Sequence, residues 1–224
     1  IDDIFRICSL PDKPVIADIG AGTGKLTKLL IEQGAICYAV EPNDAMRRLA
    51  ERELKGLPVH LIAASAEETT LEDNSVDLIT VAQAFHWFDH AACRREFARI
   101  LRNGGRVVLI WNKRDTTDTA MIEFARIIEK HCSDLPQHSH GESYDEVIKD
   151  FYKGGFFIKN TYPYEQALDF ESFWGRVQSA SYTPPPSHPE HHMLKAALFD
   201  YFNRFNEGGY IHFKYNTQVY IGVL

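Results

Sequence analysis

The sequence predicts an α/β doubly wound domain built on a mostly parallel sheet. Three observations lead there. Short apolar runs alternate with helix-patterned stretches through the first half of the chain. Those runs are near-continuous rather than alternating in polarity, which implies strands buried on both faces. A glycine cluster, Gly20, Gly22 and Gly24, stands where the first run gives way to the first helix pattern, the junction at which doubly wound sheets bind nucleotides. A length of 224 residues suits one domain, or a domain carrying a small lid. At this size folding buries roughly 70% of the surface the unfolded chain exposes. With 45% hydrophobic and 12% aromatic residues, disordered and collagen-like classes are excluded.

The elements follow in order. Pro14 to Ile19 reads as a buried strand closing on the glycines. Leu26 to Gln33 is a helix with Leu26, Leu29 and Leu30 on its apolar side, and Gly34 is its stop. Ala35 to Val40 is the second strand. Asn43 or Asp44 caps a helix through Leu54, with basic residues towards its end, where the dipole favours cations. Pro58 to Ala63 and Val76 to Ala82 are the third and fourth strands. Asp89 to Arg102 is a helix with Phe97, Ile100 and Leu101 on its apolar side, ended by Asn103-Gly104-Gly105, and Arg106 to Trp111 is the fifth strand.

Beyond Arg114 the rhythm changes. Thr119 to Cys132 reads as a helix, while Ser133 to Gly155 is polar and without a clear period. Phe156 to Tyr164 is a sixth strand, and Asp169 to Gln178 a short helix with Phe170, Phe173 and Trp174 on one side. Tyr182 to Pro189 holds four prolines and is expected to be an irregular loop. Met193 to Phe205 is an amphipathic helix, and a strand around Tyr210 to Gly222 closes the sheet at seven.

Charge and composition narrow the function. The 24 basic and 31 acidic side chains leave a formal charge of −7, which argues against a broad basic face for nucleic acid. Apolar runs such as Val107 to Trp111 fall far short of the ~20 residues that span a bilayer, so no membrane partner is expected. Cys8, Cys37, Cys93 and Cys132 form no CxxC pair and read as reduced, packed thiols, which favours a cytoplasmic setting. No metal is expected: His138, His140, His188, His191 and His192 lack a matching Cys or acidic partner and read as solvated surface. Arg94, Arg95 and Arg99 read as a helix face paired with Glu96. Ile1 in place of Met leads us to expect a trimmed fragment, which leaves a leader open.

The stretch Asp18-Ile-Gly20-Ala-Gly22-Thr-Gly24-Lys carries the chemistry. A P-loop needs a glycine at position 19 and Ser or Thr at 26, where this chain has Ile19 and Leu26. A GxGxxG fingerprint needs its third glycine at 25, which is Lys25. GxGxG remains, with Asp18 two positions upstream and Glu41 21 residues beyond Gly20, at the end of the second strand. A carboxylate there takes both hydroxyls of a ribose, so a ribose is expected although the pyrophosphate pattern is imperfect.

With VIADIGAGTG at the first strand, VEPNDAM at the second, Ala64-Ser-Ala-Glu67 after the third, Gln83-Ala-Phe-His-Trp-Phe-Asp89 after the fourth and Ile100-Leu-Arg-Asn-Gly-Gly105 before the fifth, the chain resembles the class I S-adenosylmethionine-dependent methyltransferases. QAFHWFD with the following WNKRD looks like their type 11 small-molecule branch, which includes trans-aconitate methyltransferase-like proteins. The resemblance implies a Rossmann-like doubly wound, mostly parallel seven-stranded sheet with a helical lid inserted in the C-terminal half. It implies S-adenosyl-L-methionine as cofactor, with Gly20, Ala21, Gly22 and Gly24 cradling its methionine part and Asp18 positioning the ammonium, directly or through water. Glu41 would hold the ribose hydroxyls, and Pro42, Asn43 and Met46 would lie beside the adenine. Ser65 departs from the acidic residue often seen there, Ala66 would offer a backbone N–H to the ring with Glu67 following it, and Gln83 and Phe85 would lie near the methionine moiety. Met46 could equally be core, and Asp89 a helix cap rather than a ligand.

On the acceptor side the expectations are His86, as contact or base, Trp87, Trp111, Arg114, Trp174 and Tyr182. Aromatic rings facing the cleft attract a sulfonium. A hydroxyl or amine acceptor needs a base and a carboxylate needs none. The expected organisation is a single domain over 1–224: a cofactor core of about 1–133 with closing strands at about 156–164 and 209–222, and lid segments at about 134–155 and 165–208. The expected partner is a small-molecule methyl acceptor, for a monomer or homodimer. Two other readings compete, a nicotinamide-dependent oxidoreductase, opposed by Lys25, and a non-catalytic S-adenosylmethionine-binding protein.

Overall fold

The computed structural model describes residues 1–132, 145–152, 156–180 and 182–224. Its strands are β1 (Val15–Ile19), β2 (Ile36–Val40), β3 (Val59–Ile62), β4 (Val76–Ala82), β5 (Leu101–Arg114), β6 (Phe157–Leu168) and β7 (Ile211–Gly222). They form one sheet in the order β3-β2-β1-β4-β5-β7-β6. The pairs β1–β2, β1–β4, β2–β3 and β4–β5 are parallel. Against β5, β7 runs antiparallel: the Asp115 N–H donates to the Lys214 carbonyl and Thr217 pairs with Asn112, so one strand climbs as the other descends. The doubly wound, mostly parallel sheet expected from the apolar runs is thus present.

The helices are α1 (Asp2–Cys8), α2 (Lys25–Glu32), α3 (Asp44–Glu53), α4 (His90–Ile100), α5 (Thr119–His131), α6 (Asp145–Phe151), α7 (Phe170–Gln178) and α8 (Pro189–Phe205). Several begin at a side-chain cap: Asn43 accepts from the Met46 N–H, Asp89 from Ala91 and Ala92, Asp118 from Ala120 and Met121, and Asp169 from Ser172. Each satisfies backbone donors the helix cannot pair. Asp89 is therefore a cap.

Several expectations need correction. On α2 the buried face is Thr27, Leu30 and Ile31, while Leu29 is exposed. The helix before the fifth strand stops at Ile100, and Leu101 already pairs with Val76, so the glycines lie inside β5 rather than before it. Pro189 is not loop but the first residue of α8, where its missing N–H costs nothing. His191 is buried, bonded to the Pro184 carbonyl and edge-on to Trp174, rather than solvated. His138 and His140 lie outside the described residues.

The chain divides into two compact units. The first comprises residues 1–111, α6, β6 as far as Asn160 and β7 from Gln218. Its core packs Ile19, Val40, Ile79, Phe97 and Leu109 from strands and helices on both faces of the sheet. There α6 packs Phe151 against Phe85 and Phe97, and the Tyr152 hydroxyl donates to the Val107 carbonyl at 3.0 Å. The second unit comprises residues from Asn112 through α5, and 161–217, with α7 and α8. Its core is aromatic, with Phe124, Phe173, Tyr201 and Phe213 in mutual ring contact. No helix among the described residues is long and apolar enough to cross a membrane.

Candidate functional site

In the first unit the chain winds from β1 outwards to β2 and β3, then returns to lay β4 on the other side of β1. That reversal leaves a crevice at the carboxyl ends of β1 and β4, the standard ligand position of such sheets. Ile19 is in register with Val40, and Val40 with Ile62, so the residues that follow emerge along one edge. Gly20, Glu41 and Gln83 are those residues, and backbone bonds tie each down: Gly20 N–H to Val40 O at 2.8 Å, Glu41 N–H to Ile62 O at 3.0 Å, and Gln83 N–H to Ile110 O at 3.0 Å.

The three glycines do different work. All sit at positive φ, +69° for Gly20, +58° for Gly22 and +80° for Gly24, where L side chains are disfavoured. A Cβ on Gly20 would stand 2.6 Å from the Ala84 Cβ, so the loop after β1 lies directly on the loop after β4. A Cβ on Gly24 would meet the tip of Leu54. Around Gly22 nothing lies within 4 Å of that position. Gly22 is thus the point where loop backbone faces open space.

Behind the loop Asp18 is only 1% exposed. It accepts hydrogen bonds from the Thr27 hydroxyl at 2.6 Å and the Thr80 hydroxyl at 2.9 Å. Burial pushes its carboxyl up to about 6, against the lowering pull of those bonds. Thr27 and Thr80 were not anticipated as site residues. The signal was present in each: Thr80 interrupts the apolar run of β4, and Thr27 shares the i, i+3, i+4 face of α2 with Leu30 and Ile31.

Glu41 reaches back over the loop. One carboxylate oxygen accepts from the Gly22 N–H at 2.9 Å and the other from the Asn43 N–H at 2.8 Å. Each oxygen keeps a further acceptor position. Pro42, Asn43 and Met46 follow on the exposed start of α3, and Met46 is 44% exposed, which removes the reading of it as core. Gln83 is exposed and sits at φ +57°, a left-handed conformation uncommon for a residue with a side chain.

Further along this edge the expected residues separate. The Glu67 carboxylate accepts from the Asp89 N–H at 3.0 Å and braces the start of α4, while Ala66 and Phe85 are buried. Ser65 is half-buried beside Ala66 in sequence. A short 3₁₀ turn, Phe85–Trp87, then leaves His86 and Trp87 exposed, their rings 4.8 Å apart and Trp87 80% accessible. Trp111 packs edge-on between Phe85 and Tyr220.

Residues 17–109 match the family model of a methyltransferase domain. This stretch is similar to a methyltransferase domain. Its curated relatives include an uncharacterized methyltransferase of Mycobacterium bovis, 48% identical over 100 residues, which are 45% of this chain and 40% of that one. An uncharacterized methyltransferase-like protein of Schizosaccharomyces pombe is 32% identical over 137 residues, 61% of this chain and 52% of that one. The chain therefore spans about half or less of the length of these relatives. Among solved structures, a candidate type II methyltransferase from Anaeromyxobacter dehalogenans superposes with a TM-score of 0.69 at 21% identity, covering 99% of this chain and 94% of that one. The YcgJ protein of Bacillus subtilis gives a TM-score of 0.62 at 20% identity, covering 99% and 96%. The chain thus shares the fold of those two structures.

The second unit holds a cavity of about 300 Å³. Arg114 and Tyr182 from the expected acceptor set line it, together with Asn112, Arg176 and Tyr215, which sequence reasoning missed. Trp174 is instead packed in the core of that unit, 4% exposed. Its spacing with Phe170 and Phe173 on α7 already carried the core signal.

Proposed function

We propose that the chain transfers a methyl group from S-adenosylmethionine to a small-molecule acceptor by in-line displacement. The observation that carries this reading is the pairing of Glu41 with the open backbone of Gly22 at the switch point of a stretch similar to a methyltransferase domain. The residues present fit that cofactor: a concave loop with room where a Cβ would stand, a carboxylate with spare acceptor positions, and exposed Asn43 and Met46 beside it. When bound, S-adenosylmethionine supplies a methyl group on a positively charged sulfur.

The chain's own groups then have separable tasks. Gly20, Ala21, Gly22 and Gly24 bring backbone close to the ligand, and Glu41 accepts from ribose hydroxyls. Asp18, clamped by Thr27 and Thr80, positions the loop from behind. Gln83 places its amide at the end of β4. The catalytic demand is mainly placement, and proximity of that kind supplies roughly 7–11 kcal/mol. His86 is the candidate to take a proton from a hydroxyl or amine acceptor. We assign acceptor binding to the second unit, on the charge and aromatic character of its cavity.

Thermal-shift titration with S-adenosylmethionine, S-adenosylhomocysteine and NAD tests the reading. Stabilisation by the first two, with Glu41→Ala weakening them by about 1–3 kcal/mol, is expected. Stabilisation by NAD alone would overturn it.

A further inference from the structure

We propose that the cavity of the second unit is a binding site for a monoanionic aryl carboxylate. Its walls come from the end of β5 (Asn112, Arg114), from α5 (Phe124), from the end of α7 and the residues after it (Arg176, Ser179, Tyr182), and from β7 (Phe213, Tyr215). No Asp or Glu is among its lining residues. Two guanidiniums therefore face one space in a chain whose formal charge is −7.

Rings, not carboxylates, hold those guanidiniums. Arg114 lies 5.3 Å over the Phe124 ring, and Arg176 lies 5.2 Å from the Tyr215 ring and 5.5 Å from that of Phe213. Among the described residues neither arginine forms an ion pair, and Arg176 donates only to the amide oxygen of Gln166, at 3.3 Å. Stacked in this way the planar forks are oriented, with their donors left for an anion.

A second, independent observation lies in the same wall. Tyr215 is 6% exposed, and its buried hydroxyl has no hydrogen-bond partner among the described residues. Leaving such a buried donor unpaired is unfavourable, and a ligand oxygen would pair it. Burial pushes the hydroxyl up to about 12, opposed by Arg176 and then Arg114, so at neutral pH it is a donor.

The same walls discriminate among anions. Phe124, Phe213 and Tyr215 offer ring faces and edges, which suit a planar aromatic body. Ser179 and Ala180 follow the last residue of α7, and a helix carboxyl end carries partial negative charge. That end disfavours a phosphate dianion relative to a carboxylate. About 300 Å³ is at the small end of ligand pockets, which points to one ring rather than several.

The test is calorimetric titration of the full chain with 4-hydroxybenzoate, its neutral isostere 4-hydroxybenzamide, and phenyl phosphate. The benzoate is expected to bind at least tenfold tighter than either of the others. Arg114→Gln and Arg176→Gln should each lose tenfold or more for the benzoate and little for the benzamide. Arg114→Lys, which retains charge and stem, should lose less. Tyr215→Phe should weaken the benzoate severalfold while leaving the melting temperature unchanged or raised, a combination that a purely structural tyrosine would not give. Equal binding of acid and amide, tighter binding of phenyl phosphate, or no binding of any of the three overturns the proposal without recourse to a variant. S-adenosylhomocysteine is titrated into the same preparation. Binding of it without acid preference overturns this proposal alone, and acid preference without it overturns the methyltransferase reading alone.

Discussion

Substituting alanine at Gly20, Gly22 and Gly24 in turn separates folding from ligand binding within one five-residue loop. Each position has positive φ, so each alanine pays the left-handed cost of about 1–2 kcal/mol. At Gly20 the new Cβ also meets the Ala84 Cβ at 2.6 Å. A Cβ cannot rotate away, so backbone must move, and overpacking adds about 1–3 kcal/mol. The total, about 2–5 kcal/mol, lowers the melting temperature by roughly 2–4 °C per kcal/mol for a chain of this size. At Gly24 the obstacle is the Leu54 Cδ1, which can swing aside, so that variant falls between the other two. At Gly22 nothing is met within 4 Å, so only the backbone cost applies to stability. Its methyl instead enters the space assigned to the cofactor, and S-adenosylhomocysteine affinity should fall tenfold or more. Melting curves and calorimetry on the three variants read both quantities. A Gly22→Ala protein that binds S-adenosylhomocysteine as the parent does would refute the placement of the ligand, and a Gly20→Ala protein that melts with the parent would refute the packing of the two loops.

The buried Asp18 makes stability depend on pH in an unusual direction. Its folded value of about 6 lies above the ordinary 3.8, so the folded state holds the proton more tightly, and this contribution is present below pH 4 and lost as pH rises to about 6. The shift corresponds to about 3 kcal/mol, so urea midpoints of the parent should fall relative to Asp18→Asn across that window. Parallel profiles would show that Asp18 ionises at no cost. Elsewhere, the buried Glu96 accepts from both the N–H and the hydroxyl of Thr69 and from Arg99. Glu96→Ala should cost about 1–3 kcal/mol by leaving the Thr69 donors unpaired, while Glu96→Gln should cost less. Urea denaturation checks both.

What could be read from the chain tracks how local the causes are. Strands β1 and β4 were legible because burial leaves mostly apolar runs such as Val76–Ala82, broken only by Asp77 and Thr80. The caps Asn43, Asp89 and Asp169 are local as well, each side chain satisfying N–H groups two or three residues on. The loop from Gly20 to Gly24 and Glu41 were legible because their spacing is set by one strand–helix–strand unit. Helix α1 was not read, since within Asp2–Cys8 only Ile4 is buried. The clamp of Thr27 and Thr80 on Asp18 and the meeting of Arg114, Arg176 and Tyr215 depend on residues up to about a hundred positions apart. No periodicity encodes such pairings, because tertiary packing alone brings them together.

Gln83 bears on how this chain could be redesigned. A search for stabilising substitutions would select its position early, because glycine relieves a left-handed backbone at φ +57° that disfavours every residue with a Cβ. The replacement would remove the one amide standing at the end of β4. Thermostability screens on this scaffold would therefore enrich variants that are sturdier and emptier, and a library meant to keep the ligand should hold position 83 fixed.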